Sequence, residues 1–118
     1  MSSQEVYTYN IRFHQGATWS FTLTLTDDNG TAIDLTGYTA KMQIRDLPGG
    51  TVFETLETGG AGIVITAATG EIALTFTAAE TAALTISRGM YDLKITSSGA
   101  VVTYLLKGEF VVDARITQ

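Results

Sequence analysis

TWSFTLTLTDDNG, residues 18–30, alternates from its tryptophan onward without a break. Trp19, Phe21, Leu23 and Leu25 fall on one side; Ser20, Thr22, Thr24 and Thr26 fall on the other. A helix would scatter both sets around a 3.6-residue turn, whereas a strand separates them. One apolar and one threonine-rich face describe an antiparallel strand packed on one side and wet on the other. The DDNG that follows reads as a tight turn, because Asn29-Gly30 tolerates positive φ.

The same reading extends outward. In YTAKMQIR, residues 38–45, Tyr38, Ala40, Met42 and Ile44 oppose Thr39, Lys41, Gln43 and Arg45. DLPGG, residues 46–50, contains the single proline, Pro48, and predicts a turn. Residues 51–57, TVFETLE, then return as the second arm of a hairpin. An earlier strand is expected over 6–13, with Tyr7 and Tyr9 on one face and Val6, Asn10 and Arg12 on the other. TGGAG, 58–62, reads as a flexible loop, IVIT, 63–66, as a short strand, and EIALTF, 71–76, as a strand presenting Ile72, Leu74 and Phe76 together. MYDLKIT, 90–96, groups Tyr91, Leu93 and Ile95 against Asp92, Lys94 and Thr96. VVTYLLKGEFVV, 101–112, is the longest β segment, and Gly108 predicts a bulge or bend within it. The sheet edges must be managed, either by Lys107, Asp113 and Arg115 on that last strand or by a partner.

TAAETAAL, residues 77–84, breaks the pattern. Thr77 and Glu80 have capping-box spacing, which predicts one or two helical turns. So short a helix is marginal alone; it is expected to pack Ala82, Ala83 and Leu84 over an open end of the sheets. Seven to nine short strands, regular turns and one short helix near 77–84 define an all-β sandwich. A closed barrel is the alternative. No repeat or linker divides the chain, so residues 1–118 form a single domain.

Composition narrows the function classes. The net charge is -5, and the seven basic residues form no run, which argues against nucleic-acid binding. With no cysteine there is no disulfide, thiolate metal site or cysteine nucleophile. The polar start MSSQEVYTYN has no apolar signal core, and no run reaches the roughly 18 residues of a membrane span. Synthesis in the cytoplasm, without membrane attachment, is the expectation.

No catalytic constellation appears. His14 is the only histidine and reads as a loop-edge residue. Asp27, Asp28 and Asn29 resemble the start of a calcium loop but lack its later oxygen ligands, so an Asx turn is expected. Glu54, Glu57 and Glu71 do not face one another as a glycosidase pair would. TGGAG lacks the lysine and following helix of a phosphate loop. No catalytic residue, metal ligand or cofactor is therefore assigned. The candidate contact residues are Tyr7 and Tyr9, the Lys41, Gln43 and Arg45 face, and Gly59, Gly60 and Gly62, where a partner backbone can approach closely.

A resemblance carries the reading further. Gln15-Gly16 before an aromatic strand, the stretch DLTGYTAKMQIR at 34–45, and GEIALTFTAAETAAL at 70–84 recur together with YDLKI at 91–95 and a last GEFVVDARIT at 108–117. This combination resembles small structural proteins of tailed bacteriophages and prophages. It is similar to the immunoglobulin-like N-terminal domains of their baseplate and receptor-binding-apparatus proteins, and it covers most of the chain. The resemblance implies an immunoglobulin-like sandwich, no catalytic residues, and a place in the virion beside other phage structural proteins, in several copies. Longer members continue into a fibre or receptor-binding region; for this chain, ending at Gln118, an attachment or adaptor role in the tail or baseplate is the expectation. A capsid-decorating protein is the near rival. A glycan-binding module, which would need Trp19 at the surface, and a cell-wall hydrolase are the rivals from other classes.

Overall fold

The computed structural model describes residues 7–47, 49–60, 62–84 and 86–114. Pro48, Ala61, Val6 and Arg115, which figure in the sequence reading, lie outside the described residues. In chain order the strands are β1 (Tyr7–Thr8), β2 (Ile11–His14), β3 (Trp19–Thr24), β4 (Thr39–Arg45), β5 (Val52–Glu57), β6 (Ile63–Thr66) and β7 (Glu71–Phe76). The helix α1 (Ala78–Ala83) follows, then β8 (Arg88–Thr96) and β9 (Val102–Asp113). The large sheet has the order β1-β9-β8-β4-β5, with β2 also on β9; the small sheet is β3-β7-β6. The two layers make an all-β sandwich, with three strands in one sheet and six in the other.

The alternating faces behave as their residues dictate. Ala40, Met42 and Ile44 are buried on β4, Ile72, Leu74 and Phe76 on β7, and Tyr91, Leu93 and Ile95 on β8. Phe13 and Phe110 from the large sheet meet Phe76 and Trp19 from the small one, with Phe13–Phe110 centroids 5.1 Å apart and edge-on. Edge-to-face pairs add to the burial, itself worth about 1.5–3 kcal/mol per large apolar side chain.

Asp27 Oδ1 accepts from the Asn29 and Thr31 N–H groups at 2.9 and 3.0 Å, and Gly30 takes a φ of 81°, so DDNG is an Asx turn. In DLTGY, Asp34 Oδ1 accepts from the Thr36 backbone N–H and, at 2.6 Å, its hydroxyl. Leu35 is buried, and Gly37 at a φ of 81° bends the chain into β4.

Three expectations change. β9 is not an edge: β8 flanks it on one side and β1 and β2, running parallel to it, on the other. Its bulge lies at Leu105-Leu106, where the register shifts past Leu93, and not at Gly108, which pairs regularly with Tyr91. The capping box between Thr77 and Glu80 forms, but α1 docks through Thr81 and Leu84, both buried, while Ala83 stays exposed.

Candidate interaction surface

The outer face of the large sheet is assembled row by row from strands distant in sequence. Burying alternate residues of β4 leaves Lys41, Gln43 and Arg45 outside, and β8 does the same with Met90, Asp92 and Lys94. Antiparallel pairing then sets Lys94 between Lys41 and Tyr104, Asp92 between Gln43 and Lys107, and Met90 between Arg45 and Glu109. Thr8 continues the middle row beside Lys107. These side chains line an open depression of about 720 Å³.

The β9 bulge completes this face. Leu105 and Leu106 both point inward, so the phase of the strand flips between Tyr104 and Lys107. Without the extra residue Tyr104 would share the side of Leu106 and Phe110. With it, Tyr104, Lys107 and Glu109 all join the outer face.

Four cations and two carboxylates, Asp92 and Glu109, line the depression. Glu109 is also 3.7 Å from Arg88. Arg45 donates through Nη1 to the Gly50 carbonyl at 2.6 Å and through Nη2 to Gln43 Oε1 at 3.1 Å. Neutral acceptors thus hold the guanidinium without cancelling its charge. Lys41 and Lys94 stand directly opposite each other, an arrangement that costs stability. Glu57 flanks Lys41 on β5, yet among the described residues no carboxylate comes within ion-pair distance of either lysine.

The contact candidates thus separate into three places. Lys41, Gln43 and Arg45 form the floor of the depression. Tyr7 and Tyr9 lie outside its lining: Tyr9 stacks on Phe21 of the small sheet at 4.7 Å, covering the edge of the core, and Tyr7 is 63% exposed. Gly59 stands open at a φ of 79°, whereas Gly60 lies against the Glu57 side chain. Gly62 is part of the packing, because a Cβ there would run into Leu56 and the Thr75 carbonyl. His14 is exposed at the end of β2, opposite Asp113. Asp113 binds Arg12 at 2.8 Å; that hydrogen bond holds its carboxyl below the usual range and raises the Arg12 pKa. The Thr36 hydroxyl and backbone bonds lower Asp34 likewise. Among the described residues no three His, Asp or Glu side chains gather as a metal site.

The sequence reading missed Met90, Tyr104, Lys107 and Glu109 as members of this face. Alternation already set Asp92 and Lys94 away from the core, so the signal for β8 was present. Which strands would lie beside β4 had no local signal. The double leucine in YLLK was the trace of the bulge, since strict alternation cannot bury both.

The comparisons add no family: no protein-family model matches the chain, and no curated protein matches it.

Proposed function

We propose that this chain is a non-enzymatic structural component of a tailed-phage virion, an attachment or adaptor protein of the tail or baseplate that works through protein–protein contacts. The observation that carries the contact role is the depression on the large sheet, where Lys41 faces Lys94 and four cations stand against two carboxylates. Placing Lys41 opposite Lys94 works against the fold, and it is accounted for if a partner's charge completes the surface. The motifs behind the phage resemblance act as joints of the domain. Gln15 Nε2 donates to the Ala82 and Leu84 carbonyls, and Thr81 accepts from the Gly16 N–H at 3.0 Å and donates to the Ala17 carbonyl at 2.8 Å. The distant QGA and ETA segments thus form one lock. The glycan-binding rival finds less support, since Trp19 packs against Phe13 and Phe76.

Immunogold electron microscopy of particles from the encoding phage, with an antibody against this chain, tests the reading. Label on the tail or its tip is the expected result. Label over the head would move the protein to capsid decoration. No label on partly disassembled particles, with the antibody validated on lysate, would overturn the virion role.

A further inference from the structure

A strand at the edge of a sheet carries unpaired N–H and C=O groups, and folded proteins blunt such edges with charge, proline, bulges or brevity. Among the described residues three of the four sheet edges are blunted. On β5 the Thr55 N–H is taken by Glu54 Oε1 at 3.1 Å, and the register with β4 shifts at Ile44-Arg45. The opposite edge of the large sheet is broken into β1 and β2 and carries Arg12. β6 has four residues only, and the bridge between Glu57 and Gly62 ties its start to β5.

The fourth edge is β3. Its six residues, WSFTLT, hold no charge and no proline, and they pair with β7 without a register shift. The Leu25 N–H donates to the Gly70 carbonyl at 2.8 Å, which continues the ladder and fixes its phase. Trp19, Phe21 and Leu23 therefore bond to β7, and the N–H and C=O groups of Ser20, Thr22 and Thr24 turn away from it. Among the described residues no further backbone group reaches these three. The chain leaving β3 turns to the other side of the sheet, where the Leu35 N–H donates to the Ala67 carbonyl at 3.0 Å, just past β6. The inner side chains are as incompletely covered as the backbone. Trp19, Phe21 and Leu23 are half-buried, whereas Phe76, Leu74 and Ile72, which face them on β7, are buried. Tyr9, stacked on Phe21, stays exposed on that flank.

We propose that β3 pairs antiparallel with β3 of a second copy, joining the two small sheets into one continuous sheet about a two-fold axis at Thr22. In this register Thr22 faces its counterpart and Ser20 faces Thr24. Every outward residue of one copy then exchanges both backbone bonds with an outward residue of the other. Serine and threonine opposite one another are favourable cross-strand pairs. On the inner face Phe21 meets Leu23 in a close, non-hydrogen-bonded pair, which covers the half-buried row. Another extended strand could bond to this edge, but only a second β3 has its own free edge satisfied by the same contact. The contact is isologous and closes at two copies. A net charge of -5 makes copies repel, yet this register sets no like charges face to face: Glu71, beside Thr24, falls in one row with Ser20 and Thr75 of the second copy. The small sheet provides this contact, and the depression on the large sheet plays no part in it.

Sedimentation velocity and light scattering across a concentration series test this. The expected result is a limiting mass of two chains, reached at low and at high salt alike because no ion pair is involved. Thr22→Lys sets two lysines together at the axis and should weaken association at least about tenfold, with circular dichroism confirming the fold. The chain has no cysteine, so single cysteines read the register. Under oxidised glutathione Thr22→Cys should give a disulfide-linked dimer, because its counterpart lies directly opposite. Ser20→Cys should not link to itself, since it faces Thr24, but should link when mixed with Thr24→Cys. If Thr22→Lys fails to fold, the cysteine variants decide. A parent that stays monomeric throughout the series, a mass that climbs past two chains, or a dimer indifferent to Thr22→Lys would overturn the proposal. So would cross-linking of Ser20→Cys alone in place of Thr22→Cys.

Discussion

Gly108 shows how one residue holds an edge in place. It lies opposite Tyr91, and a Cβ on it would collide with the Tyr9 carbonyl and Asn10 Oδ1. The Tyr91 hydroxyl donates to that same carbonyl. Burial, with a smaller contribution from Tyr9, pushes the phenol well above its ordinary pKa, so it stays a donor. Asn10 Oδ1 accepts from the Glu109 N–H at 3.1 Å, standing in for a ladder bond between β1 and β2. Gly108→Ala should therefore destabilise by about 1–3 kcal/mol through overpacking. Tyr91→Phe, which loses only the hydrogen bond, should cost about 0.5–1.5 kcal/mol. Urea unfolding measures both, and equal losses would mean that the N-terminal strand moves aside for the new methyl group.

At the scale of elements, α1 depends on its docking. Six residues are too few for a helix to persist alone. The capping box satisfies donors at its start, while Thr81 anchors its buried side to Gly16 and Ala17. Thr77→Ala should cost about 1 kcal/mol, the usual value of an N-cap. Thr81→Val keeps the shape but leaves the Gly16 N–H and the Ala17 carbonyl without that partner, at about 1–3 kcal/mol. Thermal or urea unfolding of the two variants ranks them, and a harmless Thr81→Val would show that the lock is held by Gln15 and Leu84 instead. The sequence displayed the capping box because its two residues are three apart. The Thr81 contact spans 64 residues and has no local signature.

Across the whole molecule, Arg12 and Asp113 join the two ends of the described chain through paired bonds of 2.8 and 2.9 Å. Hydrogen bonding lowers the carboxyl pKa values of Asp113 and Asp34 in the folded state. A lowered folded pKa means that the contribution is present above the unfolded value, about 3.9. It disappears as pH falls through the folded value. The parent should therefore exceed Asp113→Asn in urea midpoint at pH 7, and the difference should narrow below about pH 4 and vanish in stronger acid. A gap that persists unchanged at low pH would assign the loss to packing rather than to the ion pair. Arg12 is exposed and Asp113 partly so, and added salt should shrink the gap as well.

The sequence alone determined what alternation and short spacings can encode. Trp19, Phe21, Leu23 and Leu25 marked their inner face, Asp27 to Gly30 their turn, and Thr77 with Glu80 the start of the helix, because each depends on neighbours a few residues away. It also placed Lys41, Gln43 and Arg45 on one solvent face. Tertiary structure decided what that face became. Only pairing across dozens of residues put Lys94 against Lys41 and Lys107 beside Asp92. Only the bulge at Leu105-Leu106 turned Tyr104 outward, and only the parallel docking of β1 and β2 moved β9 from the edge to the interior. Strand order and register depend on long-range burial and hydrogen bonding, which sequence periodicity constrains to a face but not to a neighbour.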